Sequence, residues 1–363
     1  MNTEILKIIE GGLARDQAKV LKFAILLSKN LKISGDNTLS KRIDNLLNKS
    51  NNRGYLTADS LSSVPVDMES RLSIVEVTNP TDEEHVLVFT SLTMKKIFNF
   101  IEGVKQREEM IKRGIDVYNS MLLYGPPGCG KTSAAQYISN SLGLPLVTAR
   151  LDSMVSSLLG STAKNIQKVF SYADNKPCVL FLDEFDAIAK ARDDSQELGE
   201  LKRVVNSLIQ NIDNFAQNNI LIAATNHHKL LDNAIWRRFS EIVYIGLPDA
   251  ENREELLSIY LKGYPNNFIE DHKRKSIIIN LLSEKSPSDI KNLCSNAIRN
   301  NLIKKESLLT YPEFIFAIME TNELLGFTLD DAVRFLSENG VTQKEIKEFL
   351  DLSLRQVGKI LKV

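Results

Sequence analysis

Residues 121–132 read MLLYGPPGCGKT, and this stretch decides the fold of the chain. The apolar run MLLY precedes the pattern GxxxxGK followed by Ser or Thr, at Gly125 to Thr132, and a helix is predicted from Thr132 to about Leu142. Glycines in such a turn let successive backbone N–H groups curl around phosphate oxygens, and the N-terminus of the following helix adds a positive dipole. The stretch therefore predicts a phosphate-binding loop between a strand and a helix.

The two residues that end this loop have predicted parts in binding a nucleotide. Lys131 can reach the β- and γ-phosphates, and the Thr132 hydroxyl can bind Mg²⁺. The alternative is a Gly-Pro turn that only joins a strand to a helix, but the strand and the helix on either side favour the phosphate loop. The predicted nucleotide-binding residues of the loop are Gly125, Pro126, Pro127, Gly128, Cys129, Gly130, Lys131 and Thr132.

Short apolar runs alternate with helical patterns from Met94 onward. Such runs are typical of buried parallel strands, whose sheet is covered by helices on both faces. After Pro248 the pattern becomes helical. We therefore expect an α/β fold, a P-loop NTPase parallel sheet with helices on both faces, followed by an all-helical lid, with small helical modules at the two ends. The predicted strands are 121–125, 146–151, 178–184, 220–226 and 242–247.

Two acids follow the apolar run CVLFL at the end of the third predicted strand. Asp183 is predicted to contact the nucleotide and hold the Mg²⁺ shell, and Glu184 to face the attacking water as the catalytic base. Two acids at a strand end are more often solvated capping residues. Here Asp183 follows Lys131 by 52 residues (183 minus 131), with a strand and a helix between them, and this order favours a catalytic pair.

Asn226 closes the next apolar run, ILIAATN, at the sheet edge where parallel sheets bind their ligands. We expect its amide to orient the attacking water beside Glu184, although an Asn that only ends a strand has the same pattern.

GTPase motifs do not match, since residues 183–186 read DEFD in place of DxxG, and residues 175–178 read NKPC in place of NKxD. The residues therefore predict hydrolysis of ATP.

Composition limits the partners of the chain. Its 363 residues include 45 Lys and Arg against 46 Asp and Glu, a net charge of -1, so no overall field attracts nucleic acid or an anionic membrane. Its three cysteines lack the spacing of a zinc site or a disulfide framework. The N-terminus lacks the features of a signal peptide, and no apolar run approaches about 20 residues, so we expect a cytoplasmic protein without a membrane partner.

The pattern divides the chain into five predicted segments. Between the N-terminal helices and the α/β part we expect a polar linker and a hairpin formed by residues 73–77 and 85–89. The segments are 1–50, a helical module; 51–92, the linker and hairpin; 93–248, the large α/β domain; 249–322, the helical lid; and 323–363, a C-terminal helical module.

Four motifs follow one another in the order GPPGCGKT, VLFLDEFDAIA, IAATN and AIWRRF. Together they resemble the AAA branch of the AAA+ ATPases, relatives of katanin, spastin and the proteasomal ATPases. The resemblance implies a ring homo-oligomer, usually a hexamer, with ATP and Mg²⁺ bound between neighbouring copies. By motif position it implies that Asp183 binds the metal, that Glu184 is the catalytic base and that Asn226 is the first sensor.

Arg237 and Arg238 match the family's arginine fingers, which are catalytic residues that reach the nucleotide of the neighbouring subunit. An arginine supplied by a neighbour neutralises charge on the transferring phosphoryl group and makes hydrolysis depend on assembly. The alternative is a pair of solvated charges near Trp236, whose own predicted role is packing. Arg192 lies where relatives often have another intersubunit arginine, and surface solvation is the alternative there as well.

The chain departs from the resemblance at two places. Residues 153–170 are similar to the segment that carries the first pore loop, but Leu158 stands where members that thread polypeptide usually have an aromatic residue. This replacement favours local remodelling of a partner over processive threading. At Ser286 to Asp289 the family's arginine sensor is missing, and a serine that caps the following helix is the other explanation of this stretch.

Residues 342–362 predict two helices that begin at the N-caps Thr342 and Ser353 and look like a helix-turn-helix. Its exposed face would carry Arg355, Gln356 and Lys359, which suit phosphates and base edges, so DNA is a candidate partner; a protein-docking unit is the alternative. The first functional hypothesis is an ATPase that remodels a protein substrate or adaptor. The others are an ATP-regulated DNA-binding protein and a nucleotide-gated scaffold with negligible turnover.

Overall fold

The structure is a computed structural model, and it describes residues 73–81, 87–115, 119–155, 159–187, 198–216, 219–231, 233–322 and 326–362, with position 65 and scattered positions from 20 to 43. Those scattered positions, which belong to the predicted N-terminal module, lie in helices. Among them Ser28 Oγ and Ser40 Oγ form a hydrogen bond of 2.9 Å. The rest of that module and nearly all of the predicted linker lie outside the described residues.

The described residues contain one sheet of six strands, which are β1 (Glu76–Thr78), β2 (Ser120–Tyr124), β3 (Leu146–Arg150), β4 (Val179–Asp183), β5 (Ile220–Thr225) and β6 (Glu241–Tyr244). Their spatial order is β1, β3, β4, β5, β2, β6, and all but β1 run parallel. The parallel sheet predicted from the sequence is confirmed. The strand β2, which leads into the phosphate loop, lies between β5 and β6, so the carboxyl ends of the central strands surround that loop.

Helices cover both faces of the sheet, as predicted. Alternate residues of a strand point to opposite faces, and accordingly Leu122 packs with residues of the helices at 159–174 and 198–215, while Leu123 packs with residues of the helices at 91–105 and 131–142. Both faces of β2, β4 and β5 are buried, which explains why these three strands are mainly apolar. The helices of this part are α1 (Ser91–Lys105), α2 (Arg107–Lys112), α3 (Lys131–Leu142), α4 (Leu151–Val155), α5 (Leu159–Asp174), α6 (Leu198–Phe215) and α7 (Asn233–Trp236).

The predicted hairpin of residues 73–77 and 85–89 is wrong. The strand β1 pairs antiparallel with β3 at the edge of the sheet, with Val77 opposite Val147. From residue 87 on, the second run forms no strand, and Val88 is buried in the core of the C-terminal helices. Because β3 ends the parallel sheet, its open edge offers backbone N–H and C=O groups to β1. Through Val88, the second run instead packs against the helices that follow the sheet domain.

The described part of the chain after the sheet is all helical, as predicted. Thr342 and Ser353 cap the last two helices through capping boxes, which confirms both predicted N-caps. The helices are α8 (Ala250–Tyr260), α9 (His272–Leu281), α10 (Pro287–Ile303), α11 (Tyr311–Asn322), α12 (Leu329–Glu338), α13 (Gln343–Leu350) and α14 (Leu354–Ile360).

The last three helices share a hydrophobic core with the lid helices α8 to α11. The Tyr311 hydroxyl donates to the Asn339 carbonyl at 2.6 Å, and Arg274 forms an ion pair of 2.7 Å with Glu345. The predicted C-terminal module is therefore packed against the lid and continues its core. The fully buried residues that α12 to α14 contribute are Val333, Leu336, Ile346 and Val357.

Two general features bear on the sequence predictions. Among the described helices, none combines the length and the apolar character that a membrane span requires. The three cysteines, Cys129, Cys178 and Cys294, are buried free thiols. Burial raises the pKa of Cys178 and Cys294 to about 12, so both thiols stay protonated and unreactive in the folded protein.

Candidate active site

The three glycines of the loop between β2 and α3 all have a positive φ, and at two of them a side chain would also collide with neighbouring atoms. Gly125 has a φ of 150°, and a Cβ there would run into the Ile245 carbonyl group. Gly128 has a φ of 73°, and a Cβ there would lie 2.6 Å from Ser286 Oγ. These glycines let the chain turn tightly from the strand to the N-terminus of α3, an arrangement that suits an anion.

Lys131 is the first residue of α3, and only 7% of it is exposed. Its ammonium group donates to the carbonyl oxygens of Gly125 at 2.9 Å and Pro126 at 2.8 Å, which holds it along the loop. Burial lowers the pKa of Lys131, while nearby negative groups, Asp183 and Glu184 among them, act in the opposite direction. The charge of Lys131 is thus confined to the space between the loop and the two predicted acids.

Thr132 and Asp183 face each other across the gap between α3 and β4. The Thr132 hydroxyl oxygen lies 3.4 Å from Asp183 Oδ2. Mg²⁺ takes oxygen ligands, and at nucleotide sites one or two protein oxygens are completed by water and phosphate oxygens. A hydroxyl beside a carboxylate therefore fits the metal that the sequence predicts.

Glu184 and Asn226 are brought into contact by the ends of two neighbouring strands. Glu184 has a φ of 51°, in the left-handed region that residues other than glycine rarely adopt. Its N–H donates to Asp183 Oδ1 at 2.9 Å. Asn226 Nδ2 lies 3.3 Å from each carboxylate oxygen of Glu184. The predicted base and the predicted sensor therefore form one hydrogen-bonded pair.

Arg237 and Arg238 come directly after α7 and have different surroundings. Arg238 Nε lies 3.2 Å from Asp213 Oδ1, and its Nη1 donates to the Ala234 carbonyl at 2.8 Å. Arg237 is exposed. Within the described residues, neither arginine bonds to the phosphate loop or to the two acids of its own chain. The geometry thus separates a braced arginine from one that faces outward.

Comparison with known proteins shows the family of the chain. Residues 121–247 match the sequence profile of the "ATPase family associated with various cellular activities (AAA)". The AAA family ATPase y4kL of Sinorhizobium fredii is 38% identical over 252 residues, which cover 69% of this chain and 75% of that protein. The chain belongs to the AAA family of ATPases. The resemblance, the α/β fold and the ATPase activity predicted from the sequence are thereby confirmed.

Two further relatives of this AAA ATPase are more distant. The proteasome-activating nucleotidase of Saccharolobus islandicus is 29% identical over 280 residues, which cover 75% of this chain and 70% of that protein. The ATP-dependent zinc metalloprotease FtsH of Ruminiclostridium cellulolyticum is 29% identical over 253 residues, which cover 68% of this chain and 39% of that protein. The similarity to FtsH therefore concerns less than half of the metalloprotease.

One residue of the site, Asp186, was not singled out from the sequence. It is fully buried, and its Oδ1 accepts hydrogen bonds from Thr225 Oγ1 at 3.0 Å and from the Asn226 N–H at 3.2 Å. The available signal was an acid within the otherwise apolar run FDAIA that follows Glu184. In this AAA ATPase Asp186 thus contacts the end of β5 and the backbone of the predicted sensor Asn226.

The lid of the AAA ATPase touches the phosphate loop at the start of α10. Ser286 caps this helix in a capping box with Asp289, so the capping explanation of this stretch is confirmed. The Ser288 N–H donates to the Gly128 carbonyl at 3.2 Å. The loop and the lid are therefore in direct contact, although the family's arginine sensor is missing from this helix.

Three further predicted positions complete the comparison. Trp236 packs as expected, with its ring centre 5.5 Å from that of Tyr124 and 6.5 Å from that of His228. The predicted pore-loop position, Leu158, and the further intersubunit arginine, Arg192, lie outside the described residues. Their predicted roles in the AAA ATPase therefore stay predictions.

Proposed function

We propose that this AAA ATPase assembles into a ring, as six copies by family resemblance, and uses ATP hydrolysis to remodel a protein partner. The observation that carries the proposal is the hydrogen-bonded pair of Glu184 and Asn226 beside the pair of Thr132 and Asp183. Phosphoryl transfer depends on a positioned water and on charge neutralisation more than on covalent work by the protein. These two pairs are the groups that such a reaction uses.

Each group has a defined part in the proposed reaction. ATP lies along the loop that ends in Lys131, whose ammonium group contacts the β- and γ-phosphates. Thr132 and Asp183 would hold Mg²⁺, which would neutralise phosphate charge when bound. Glu184 accepts a proton from the attacking water, and Asn226 keeps the Glu184 carboxylate in position. The products are ADP and inorganic phosphate.

Arg237 acts in the active site of the neighbouring copy. It is exposed, whereas Arg238 is held by Asp213 and by the Ala234 carbonyl of its own chain. An arginine that enters the site from another copy can raise the rate of phosphoryl transfer by about 10³-fold or more. We therefore assign Arg237 as the main finger and Arg238 as the residue that braces the short helix α7.

A protein partner is supported by the names of two relatives and by the sequence of the pore segment. The names refer to a proteasome in one case and to a protease in the other. Leu158, in place of the usual pore aromatic, favours local remodelling of the partner over processive threading, because a flat ring provides more contact area than leucine.

A mixture of two inactive variants tests whether copies share an active site. Lys131→Ala loses nucleotide binding in its own loop but keeps Arg237, whereas Arg237→Ala keeps the loop but loses the finger. In a random mixture, about a quarter of neighbouring pairs combine an intact loop with an intact finger. Phosphate release should therefore rise well above the background of either variant alone.

A mixture of Lys131→Ala with Glu184→Gln is the matched control. Both substitutions damage the same chain's half of the site, so no neighbouring pair contains an intact loop together with an intact base. This mixture should stay inactive. Sedimentation shows whether the variants assemble together, and co-assembly without recovery in the first mixture would rule out the shared site.

The remodelling step is tested with a captured partner. Glu184→Gln with ATP should hold the assembled, nucleotide-bound state long enough for the partner to copurify. The isolated partner is then incubated with wild-type protein, and its susceptibility to a protease is followed over time. Remodelling predicts increased cleavage with ATP but not with ADP or with Glu184→Gln. A partner that is cleaved equally under all three conditions would argue against remodelling.

ATP-regulated DNA binding is the second candidate, and one contact weakens it. Arg355, Gln356 and Lys359 are all exposed on α14, as predicted. However, the Gln356 side-chain oxygen accepts hydrogen bonds from the N–H and the hydroxyl of Ser353, so it is already engaged in the helix cap. Salt-sensitive binding to duplex DNA that is lost in the Arg355→Ala plus Lys359→Ala variant would favour this second function.

A further inference from the structure

Asp186 is a buried acid that accepts a hydrogen bond from the Asn226 N–H. It has no part in the proposed reaction as described so far. It lies three residues after Asp183 in the turn that follows β4, and none of its surface is exposed. Burying a carboxylate is unfavourable unless hydrogen bonds compensate it. A carboxylate buried at this point therefore needs compensating donors, and the end of β5 supplies two.

Both donors come from the end of β5. Thr225 Oγ1 donates to Asp186 Oδ1 at 3.0 Å, and the Asn226 N–H donates to the same oxygen at 3.2 Å. The Thr225 hydroxyl oxygen in turn accepts from the His227 N–H at 3.1 Å. Asp186 thus fixes the backbone on both sides of the point where the Asn226 side chain begins.

Asn226 passes this constraint on to the base. Its amide nitrogen lies 3.3 Å from each carboxylate oxygen of Glu184, whose own backbone is in the left-handed region. These are long hydrogen bonds, so a small shift of the Asn226 backbone is enough to break them. The contacts therefore form a continuous path from Asp186 through Asn226 to Glu184.

We propose that Asp186 is a positioning residue for ATP hydrolysis, which holds Asn226 so that its amide stays on the Glu184 carboxylate. The inference rests on the proposed roles of Glu184 and Asn226. It assigns Asp186 no contact with the nucleotide or the metal.

The structure argues against a purely structural role for the acid. The ends of β4 and β5 are already joined by the Phe185 N–H, which donates to the Ala224 carbonyl at 2.9 Å. Phe185 is itself fully buried in the core. Loss of the Asp186 carboxylate therefore leaves a backbone bond and a packed ring between the two strands, while it removes the hydrogen bonds to Thr225 and to the Asn226 backbone.

The first test compares three substitutions of Asp186 by steady-state kinetics. Asp186→Ala should lower kcat for ATP by about 10- to 100-fold, as expected for a misplaced catalytic group, with KM changed by less than about threefold. Asp186→Asn should lose much less of kcat, because its amide oxygen can still accept both hydrogen bonds. Asp186→Val, which fills the space but accepts nothing, should resemble Asp186→Ala.

A double-mutant cycle shows whether Asp186 acts through Asn226. The positioning role predicts that Asp186→Ala has no further effect on kcat when Asn226→Ala is already present. Multiplicative effects would overturn the inference and point to an independent action, such as a charge effect on Lys131. A raised KM with an unchanged kcat would overturn the inference as well.

Separate controls distinguish an effect on positioning from misfolding and from failure of the proposed ATPase function. Each variant is checked by thermal unfolding and by equilibrium binding of a fluorescent ATP analogue. If neither Asp186→Ala nor Asp186→Val folds, the acid is structural and the inference is wrong. If the wild-type protein releases no phosphate, the proposed function fails, whereas normal kcat in folded Asp186 variants rejects the positioning role alone.

Discussion

The charged ammonium group of Lys131 is largely shielded from water. We therefore expect the affinity for ATP to depend on pH. Burial lowers the pKa of Lys131 below that of a free lysine, and the neighbouring negative groups only partly restore it. The protonated form attracts phosphate and the neutral form does not. ATP affinity should therefore fall as the pH rises through this lowered pKa, before free lysine titrates at about 10.4.

Equilibrium binding to Glu184→Gln measures this dependence without turnover. The dissociation constant of ATP is determined between about pH 7 and pH 10, a range that ends just below the usual lysine pKa. Lys131→Arg is the control, since arginine remains charged over the whole range and its affinity should stay flat. An affinity of the wild-type loop that is equally flat up to pH 10 would contradict the lowered pKa.

Sequence patterns could predict most residues of the candidate site because each has a chemistry tied to its position. The loop glycines, Lys131 and the pair of acids follow a fixed order along the chain, and their contacts agree with it. The sequence did not single out Asp186, because its role depends on its burial. Burial next to a strand end is set by the packing of segments that are distant along the chain. Arg237 and Arg238 could not be separated, since their surroundings differ through contacts of Arg238 with Asp213, on another helix, and with the Ala234 carbonyl.

At the scale of elements, the start of α10 couples the lid to the phosphate loop. Ser286 caps this helix and its hydroxyl lies close to Gly128, whose carbonyl accepts from the Ser288 N–H. Loss of an N-cap serine usually destabilises a protein by about 1 kcal/mol. Ser286→Ala should therefore lower the free energy of unfolding by about that amount, and it should also weaken ATP binding because the helix start shifts against the loop.

A second serine cap serves as the control for this prediction. Ser353 caps α14 with the same kind of capping box, and it is exposed. Ser353→Ala should destabilise the protein by a similar amount, about 1 kcal/mol, and leave ATP affinity unchanged. Denaturant unfolding and equilibrium nucleotide binding report the two quantities separately. Equal effects of both variants on ATP affinity would show that the contact of α10 with the loop has no influence on binding.

The only tryptophan of the chain, Trp236, lies where its fluorescence can report on the phosphate loop. Trp236 packs edge to face on Tyr124, which is the residue before Gly125. A change in the loop on ATP binding should alter this ring contact, and with it the intrinsic emission of Trp236. Titration with ATP should change the fluorescence of the wild-type protein and leave that of Lys131→Ala constant. An equal response of the two proteins would mean that Trp236 does not sense the loop.

Elements with a strong local pattern were predicted well, whereas the pairing of β1 was not. The parallel strands are continuous apolar runs, so their existence could be recognised without knowing their neighbours. The pairing of β1 depends on the open edge of β3, which lies about seventy residues further along the chain. A hairpin rule, which considers only neighbouring runs, cannot anticipate such a partner.

At the scale of the molecule, the C-terminal helices belong to the folding unit of the lid. Side chains of α12 to α14 are buried in the same core as those of α10, and each fully buried Val or Leu contributes about 1.5–3 kcal/mol. The total stability of a domain is only about 5–15 kcal/mol. A chain that ends after Asn322 should therefore lose a large part of the lid's stability.

Thermal unfolding of the shortened chain tests this expectation, with Arg355→Ala plus Lys359→Ala as the control. The control changes only exposed residues of the same module, so its Tm should stay near that of the full chain. The shortened chain should melt at a lower temperature and expose apolar surface. An unchanged Tm would mean that residues 323–363 form an independent module, as the sequence had predicted.

The proposed ATPase activity depends on a nucleotide site that becomes complete only when copies of the chain meet. The most direct measurement is phosphate release from ATP by the wild-type protein, per chain, over a range of protein concentrations that spans assembly. We predict that the rate per chain rises steeply as rings form, and that Glu184→Gln binds ATP equally well but turns over at least about 100-fold more slowly. A wild-type protein that assembles and binds ATP, yet releases phosphate no faster than Glu184→Gln, would contradict the account.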